Sequence, residues 1–493
     1  MTLVAKANPN ERYDLAAVRA VADQAFSRAA GAPLVENNSV RLLRDAAENY
    51  PAWLEAISLA RLYVHFESYI IHEDDAGRQF AAALIAKAQQ GVRVRLVYDW
   101  LGGFGKTSGR FWRELRAGGV EVRCYNPPRL DAPLGWLSRD HRKTLTVDGE
   151  VGYVSGLCVG RMWIGEPNKR IEAWRDTGVE IRGPAVADIE RAFARLWGTM
   201  GEPLRAGDLM NRSAARGSVS LRIVASEPGT AGMFRLDQLV SAMARERVWL
   251  TDAYYAGTTP YVQALRAAAL NGVDVRLLVP NATDIPILRP ISRAGYRPLL
   301  EAGVRVFEWN GTMIHAKTAV ADRRWARVGS TNLNIASWIG NYEMDAMVEE
   351  AEFAEQMEQQ YLRDLQNATE VVLDTRQKVH APGEPAHPFP LATGGGGSAG
   401  RAAAGALRIA NAVGAAFTDR RVLHPIEAKI VFGTGALLLG LAVLLYFFPR
   451  VAAYPLLAVV GWFGIALLYR GYKIHSDRAE ARKREQRVDP WPK

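Results

Sequence analysis

Cysteine is scarce in this chain of 493 residues, and its placement excludes two common kinds of fold. The two cysteines, Cys124 and Cys158, are too few for a disulfide framework and form no CxxC pair. A disulfide-stapled secreted fold and a cysteine-based zinc site are therefore not expected, and a reducing, cytosol-facing environment is. The first residues also lack the apolar run of a secretory signal peptide.

Acidic residues are outnumbered by basic ones. Lysine and arginine total 61 against 52 aspartates and glutamates, which gives a net charge of +9 and a pI near 9.5. Such a balance favours an anionic partner, and nucleic acid, acidic lipid and polyphosphate all qualify. The length is enough for two or three domains.

Charges are missing from two long stretches near the C-terminus, residues 430–448 and 451–469. A helix of either length would reach about 28 Å, close to the ~30 Å hydrocarbon core of a bilayer. We expect a two-helix transmembrane hairpin here; a buried hairpin or a re-entrant segment is the alternative. Basic residues flank both sides of the hairpin and only Arg450 lies in its turn, which predicts that both flanks are cytoplasmic.

The middle of the chain reads as an internal duplication. Residues 81–99 resemble 262–280, and 116–127 resemble 300–311; each segment shows helical periodicity, a glycine and then an alternating strand. Helices alternating with strands predict a mixed α/β sheet in each half.

Changes in composition predict five regions. They are an N-terminal helical segment (1–50), a first repeat (51–210), a second repeat (211–374), a flexible Pro/Gly linker (375–405) and a membrane-associated region with a basic tail (406–493).

One spaced triplet, His-x-Lys-x4-Asp, occurs once in each repeat. The copies are His141, Lys143 and Asp148, and His315, Lys317 and Asp322. A neutral imidazole can attack an anionic phosphodiester and form a phosphohistidine, while a second, protonated histidine donates to the leaving alcohol. The lysines would neutralise the phosphate oxygens, so this chemistry requires neither a metal nor a cofactor.

At these motifs the chain resembles the phospholipase D superfamily and, within it, the bacterial cardiolipin synthases. The resemblance covers roughly residues 33–365, and the second copy, continuing through Gly329-Ser330-x-Asn332, matches the family pattern in full. It implies two α/β/α sandwich halves that form one pseudo-twofold active site.

The resemblance also implies roles for particular residues. Asp176 and Glu343 would orient the histidines, and His141 would be the nucleophile with His315 as the acid. The residues expected to bind the substrate phosphate are Ser155, Ser330 and Asn332. Asp148 and Asp322 belong to the catalytic motif, although a structural role at the strand turn is the favoured interpretation for both.

The first repeat departs from the family pattern. Cys158 stands where the family usually has asparagine, and Gly178 where the cardiolipin synthase branch often has histidine. A Pro-rich insertion precedes the first histidine and is either an ordinary surface loop or an apolar lip for lipid chains.

Together these features favour a membrane-anchored phosphatidyltransferase of cardiolipin-synthase type, acting on anionic phospholipids with phosphatidylglycerol as an example of the acceptor. The alternative is a phospholipase D that hydrolyses phospholipids to phosphatidic acid; a nuclease and a non-catalytic lipid-binding scaffold are more distant. We expect the bacterial inner membrane, with the catalytic domain on its cytoplasmic face and no nucleic-acid partner. The oligomeric state stays open.

Overall fold

The structure, a computed structural model, describes residues 15–128, 137–166, 168, 171–209, 213–285, 288–373 and 379–380, with isolated helical positions between 436 and 472. These divide into two compact units. The larger contains the described residues up to 125 and from 140 to 380. In the smaller unit, the Asn126 side chain donates to the Ser138 carbonyl at 2.9 Å.

The strands of the larger unit fall into two successive sets. The first half contains β1 (Val35–Arg44), β2 (Tyr63–Ser68), β3 (Arg93–Asp99), β4 (Glu121–Tyr125), β5 (Lys143–Val147), β6 (Val151–Ser155) and β7 (Thr177–Arg182). The second half contains β8 (Val219–Ser226), β9 (Arg247–Thr251), β10 (Asp274–Pro280), β11 (Arg305–Trp309), β12 (Thr318–Ala321), β13 (Trp325–Gly329), β14 (Glu343–Val348), β15 (Ala368–Leu373) and β16 (Val379–His380).

Helices alternate with these strands. They are α1 (Leu15–Ala30), α2 (Asp45–Leu59), α3 (Asp75–Gln89), α4 (Trp100–Gly103), α5 (Gly109–Ala117), α6 (Arg161–Ile164), α7 (Val186–Thr199), α8 (Gly232–Met243), α9 (Thr259–Leu270), α10 (Leu288–Glu301) and α11 (Ala351–Leu365). A 3-10 turn at Ala206–Asp208 and a π-helical turn at Ala336–Gly340 complete the described elements.

The two halves share one strand order, which confirms the predicted duplication of an α/β unit. It is β4-β3-β2-β5-β6-β7-β1 in the first half and β11-β10-β9-β12-β13-β14-β8 in the second. Antiparallel pairing of β1 with β8 joins them into one 16-stranded sheet. In each half three strands are parallel, so their carboxyl ends meet at one edge, where α/β sheets bind ligands.

Helices cover both faces of the sheet in the first half. On one face, Trp53 of α2 and Phe80 of α3 pack against Phe66 of β2, with Trp53 and Phe66 ring centroids 6.3 Å apart. On the other face lie Phe193 and Trp197 of α7. Trp53 is almost fully buried, so its replacement by alanine would cost about 3–5 kcal/mol.

The N-terminal boundary differs from the prediction. Residues 1–50 were predicted to be a helical segment, but β1 lies inside the sheet between β7 and β8. The polar residues Glu36, Asn37 and Asn38 and an irregular register conceal this strand in the sequence. Asn38 is buried and satisfied, since its amide donates to the Val35 carbonyl and its oxygen accepts from the Ala185 N–H.

The predicted membrane hairpin lies largely outside the described residues, as do the linker residues 381–405 and residues 129–136 of the Pro-rich insertion. Described positions in the hairpin, among them Leu439, Tyr446, Trp462 and Ile465, are helical and exposed. Within the part of the chain that the structure describes, no helix is long and apolar enough to cross a bilayer.

Candidate active site

Each His-x-Lys motif opens a β-hairpin whose turn carries the motif's aspartate. Asp148 and Gly149 both have positive φ, 53° and 65°, and so do Asp322 and Arg323, at 49° and 57°. Two consecutive left-handed residues form the tight turn that suits the right-handed twist of paired strands.

The two motif aspartates, grouped with the catalytic residues by the motif, lie at the far ends of their hairpins from the lysines, where the contacts below fit a structural role. A five-residue strand such as β5 is about 13–17 Å long, and it separates Lys143 from Asp148. The Asp148 carboxylate accepts from the backbone N–H groups of Arg61, Leu62 and Tyr63 at 2.7–2.8 Å.

Asp322 makes the matching contacts in the second half. Its carboxylate accepts from the N–H groups of Arg245, Glu246 and Arg247 at 2.8–2.9 Å. Both aspartates therefore fix the start of the neighbouring parallel strand, β2 or β9.

The histidines are paired with carboxylates across the two halves. His141 Nδ1 lies 2.8 Å from Glu343 Oε2, although the residues are 202 positions apart. His315 Nδ1 lies 2.7 Å from Asp176 Oδ2, 139 positions apart. The sequence identified all four residues, but the carboxylate of each repeat serves the histidine of the other.

Further hydrogen bonds hold the two carboxylates in place. Ser330 Oγ donates to Glu343 Oε2 at 2.6 Å, and Trp163 Nε1 donates to Asp176 Oδ2 at 3.0 Å. Burial opposes ionisation of both acids, but the facing histidine and the nearby lysine outweigh it and hold their pKa values below the usual range. An ionised carboxylate only accepts, so each histidine carries its proton on Nδ1 and keeps the Nε2 lone pair for chemistry.

Both histidines have lowered pKa values and are neutral at pH 7. Burial is the largest cause, and it lowers the pKa of His141 to about 4 and that of His315 to about 3. Lys143 and Lys317 contribute to both of these shifts, while Glu343 opposes the shift of His141 and Asp176 that of His315. Because each lysine lowers the pKa of the histidines of both halves, the four side chains lie close together in one site.

The lysines are buried beside the histidines. Lys143 Nζ donates to the carbonyl oxygen of His141, and Lys317 Nζ to that of His315. The pKa of Lys317 is lowered to about 8, mainly by burial and in part by Lys143, against the opposing effect of Asp176. Within the described residues, no group of three or more His, Cys, Asp or Glu side chains is arranged to hold a metal ion.

The three residues predicted to bind phosphate have different surroundings. Ser330 is engaged with Glu343, as described above, and Ser155 Oγ donates to the Leu157 carbonyl at 3.3 Å. The Asn332 amide makes one long hydrogen bond, 3.5 Å to Ser337 Oγ, and its oxygen is buried without a hydrogen bond among the described residues. Of the three, Asn332 alone has a side chain with spare hydrogen-bonding capacity for a phosphate.

Comparison with known proteins identifies the family. Residues 53–197 and 238–365 match the family model described as "Cardiolipin synthase, PLD-like domain". The chain belongs to this family. It is 32% identical over 345 residues to the cardiolipin synthase of Alkalihalophilus pseudofirmus, covering 69% of this chain and 68% of that protein. It is 33% identical over 358 residues to cardiolipin synthase A of Pseudomonas entomophila, covering 71% and 73%.

A solved structure shares the fold. The phosphatidylserine synthase of Haemophilus influenzae Rd KW20 matches with a TM-score of 0.56 and 14% identity, covering 70% of this chain and 91% of that one. The chain is therefore an enzyme of the phospholipase D superfamily, with the phospholipase D-like fold in two repeated halves.

This member of the family has no room for a histidine at Gly178. A Cβ atom there would lie 2.1 Å from Asn49 Oδ1. Asn49 is buried, and its amide donates to the carbonyls of Leu43 and Asp45 at 3.2 and 2.8 Å. The sequence alone did not reveal that a residue of α2 fills this space.

The first half also differs beside its carboxylate. Gly156 is the counterpart of Ser330, and a Cβ atom there would lie 2.1 Å from Asp176 Oδ1. The Asp176 carboxylate thus occupies the place where the second half has a serine side chain. Cys158, the counterpart of Asn332, is fully buried, and burial raises the pKa of its thiol.

Aromatic rings surround the two histidines, and the sequence did not predict them. The Tyr69 ring lies 5.0 Å from that of His141, while Trp163, Trp174 and Tyr254 lie 5.5–5.8 Å from His315. Tyr69 directly follows β2, and Tyr254 comes three residues after the end of β9, so their position at the carboxyl ends of parallel strands was the available signal.

Proposed function

We propose that this enzyme is a phosphatidyltransferase of cardiolipin-synthase type, which moves a phosphatidyl group from one phosphatidylglycerol to another and releases glycerol. The observation that carries the proposal is the pair of crossed histidine–carboxylate contacts around two buried lysines. The cardiolipin synthases among the relatives support the choice of substrate.

In the first step, His141 Nε2 attacks phosphorus. A P–N bond forms, and the P–O bond to the glycerol head group breaks. Glu343 holds Nδ1–H and stabilises the positive charge that develops on the ring. His315 donates its proton to the departing glycerol oxygen.

His315 takes up its proton from solvent when the substrate binds. His315 is neutral before substrate binds because its pKa is lowered to about 3, mainly by burial. A phosphodiester anion next to the imidazole favours the charged form and raises that pKa. Binding therefore converts His315 into the general acid that the step needs.

In the second step, the roles reverse around the phosphohistidine. Neutral His315 takes a proton from the hydroxyl of a second phosphatidylglycerol, whose oxygen attacks phosphorus. The P–N bond breaks, cardiolipin forms, and His141 is neutral again. Lys143, Lys317 and the Asn332 amide stabilise the phosphate oxygens through both steps.

Membrane anchoring is part of the proposal. The uncharged stretches 430–448 and 451–469 with their basic flanks support a hairpin in the bacterial inner membrane and a cytoplasmic catalytic unit. Alkaline carbonate extraction of membranes should leave the full chain in the pellet. Protease added to sealed, right-side-out vesicles should spare an N-terminal tag. Cleavage of the tag would refute the proposed orientation.

The activity test uses the purified full chain with phosphatidylglycerol vesicles. Cardiolipin and glycerol should appear in equal amounts, and His141→Ala and His315→Ala should abolish both. Phosphatidic acid as the sole lipid product would identify a hydrolase instead. Turnover that survives both substitutions would overturn the proposed site.

Trapping distinguishes the two histidines. If His141 is the nucleophile, His315→Ala should accumulate a phosphoenzyme, detected after an alkaline quench that preserves the P–N bond, when the substrate carries a leaving group such as p-nitrophenolate that departs without a proton. A phosphoenzyme in His141→Ala would reverse the assignment.

A further inference from the structure

Asp176 reaches His315 on a short segment that joins the two halves. Arg175 and Ile314 form an isolated parallel bridge, in which the Arg175 N–H donates to the Met313 carbonyl at 2.9 Å. The His315 N–H donates to the Arg175 carbonyl at 2.7 Å. The backbone of Arg175 is thus hydrogen-bonded directly to the segment that contains His315.

The Arg175 side chain ties the same segment to α11 in the second half. Nε and Nη2 each lie 2.9 Å from a different carboxylate oxygen of Asp364. Nη1 donates to Thr177 Oγ1 at 2.9 Å and to Asp45 Oδ1 at 3.2 Å. A bidentate (two-pronged) guanidinium–carboxylate contact fixes the orientation of the two side chains as well as their distance.

The backbone next to Asp176 is held from the other side by Asp45. The Asp176 N–H donates to Asp45 Oδ1 at 2.8 Å, and the Asp45 N–H donates to the Asp176 carbonyl at 3.0 Å. Nη1 of Arg175 also donates to that carbonyl. These contacts leave Asp176 little freedom to move relative to His315.

The other histidine lacks this arrangement. In the matching bridge, Asp140 pairs with Tyr342, so a tyrosine stands where the second site has Arg175. The arginine near that bridge is Arg142, which donates to the carbonyls of Glu343, Ala192 and Ser226. A clamp made with an acid of α11 therefore belongs to His315 alone.

We propose that Arg175 and Asp364 form a positioning clamp that holds Asp176 against His315. The clamp rests on the proposed function only in that His315 acts on the reacting oxygen. An ordinary buried ion pair, which contributes to folding but not to the geometry of His315, is the alternative.

Arg175→Met should lower kcat about 100-fold, the scale of loss from misplacing a catalytic group by about an ångström. KM should stay within about twofold, since Lys143, Lys317 and Asn332 are untouched. Arg175→Lys keeps the charge without the two-pronged contact and should lose about tenfold, and Asp364→Asn should resemble it.

The control is Arg293→Met. Arg293 makes a comparable two-pronged contact with Glu308, with Nε 2.8 Å from Oε1, between α10 and β11. Its loss should lower the thermal midpoint without lowering kcat at temperatures where the variant is folded. Equal kcat losses in the Arg293 and Arg175 variants would overturn the clamp.

An activity-independent readout is the proton NMR signal of His315 Nδ1–H, assigned by its loss in His315→Ala. It should shift upfield or broaden in Arg175→Met and Arg175→Lys but not in Arg293→Met; an unchanged signal in a folded variant would refute the clamp. If Arg175→Met does not fold, Arg175→Lys decides. Kinetics use bis(p-nitrophenyl) phosphate beside lipid vesicles, so a wild-type enzyme that makes no cardiolipin refutes the proposed function separately.

Discussion

Burial alone does not make a histidine reactive in this protein. His65 is as buried as His141 and His315, and burial lowers its pKa to about 3, yet it stacks between Tyr63 and Phe193 with centroids 4.7 and 4.6 Å away. What distinguishes the other two is an ionised carboxylate on Nδ1 and a lysine beside the ring. In the proposed mechanism, the carboxylate determines which ring nitrogen faces the substrate, and the lysine supplies positive charge for the substrate phosphate.

Ser330→Ala tests whether this serine acts on Glu343 or on phosphate. Because Ser330 Oγ donates to Glu343 at 2.6 Å, we expect kcat to fall about tenfold while KM is nearly unchanged. Steady-state kinetics on a soluble phosphodiester give the two constants, with Asn332→Ala as the comparison that should raise KM. A rise in KM without a change in kcat would restore the phosphate-binding role.

Oxyanion binding should be accompanied by proton uptake. The pKa values of about 4 and 3 keep His141 and His315 neutral at pH 7, and an anion between the lysines raises both. We expect the protein to take up about one proton when tungstate binds at pH 7. The uptake is measured as a binding enthalpy that depends on the ionisation enthalpy of the buffer. His315→Ala should reduce the uptake; equal enthalpies in all buffers for the wild type would contradict it.

At the scale of elements, each hairpin has the lysine of the proposed site at one end and the strand-anchoring aspartate at the other. Lys143 is the first residue of β5, and Asp148, which anchors the start of β2, directly follows the last residue of β5. The second half repeats this arrangement with Lys317, β12 and Asp322. The spacing shared by the two triplets therefore reflects the length of a strand rather than the dimensions of a reaction site.

Asp148→Ala and Asp322→Ala should weaken the fold and leave the chemistry intact. Each removes a carboxylate that accepts from three backbone N–H groups, some of them open to water, so we expect a cost of about 1–3 kcal/mol. Differential scanning calorimetry should show a lower thermal midpoint. At 20 °C the folded variants should retain kcat within about twofold, and a loss comparable to that of His141→Ala would show direct participation.

For the whole molecule, the central fact is that both crossed contacts form within one chain. His141 depends on Glu343 and His315 on Asp176, so neither repeat holds a complete histidine–carboxylate pair of its own. The shared 16-stranded sheet keeps the two halves in register through β1 and β8.

A mixture of His141→Ala and His315→Ala chains should stay inactive, because each chain builds its own site and lacks one histidine. Activity is measured after mixing under native conditions and again after joint unfolding and refolding. Recovery of a large part of the wild-type rate would show that histidines from two chains meet in one site.

Periodicity and spacing are local properties, and they predicted the duplicated α/β fold and singled out the histidines and lysines; the family resemblance added Asp176 and Glu343. The sequence did not predict the crossing of the pairs, since His141 and Glu343 meet only after 202 positions of chain have folded. Asn49 was missed for the same reason, because it fills the space at Gly178 from a distant helix. The strand β1 was missed because its polar residues are satisfied by contacts that no local pattern shows.

Covalent fusion gives the two repeats a freedom that a pair of identical chains would lack. In a symmetric dimer of single repeats, any substitution would appear beside both histidines at once. Here the position equivalent to Asn332 is Cys158 in the first repeat, and the position equivalent to Ser330 is Gly156. One imidazole can thus be tuned for attack and the other for proton transfer, each by mutations that leave its counterpart alone.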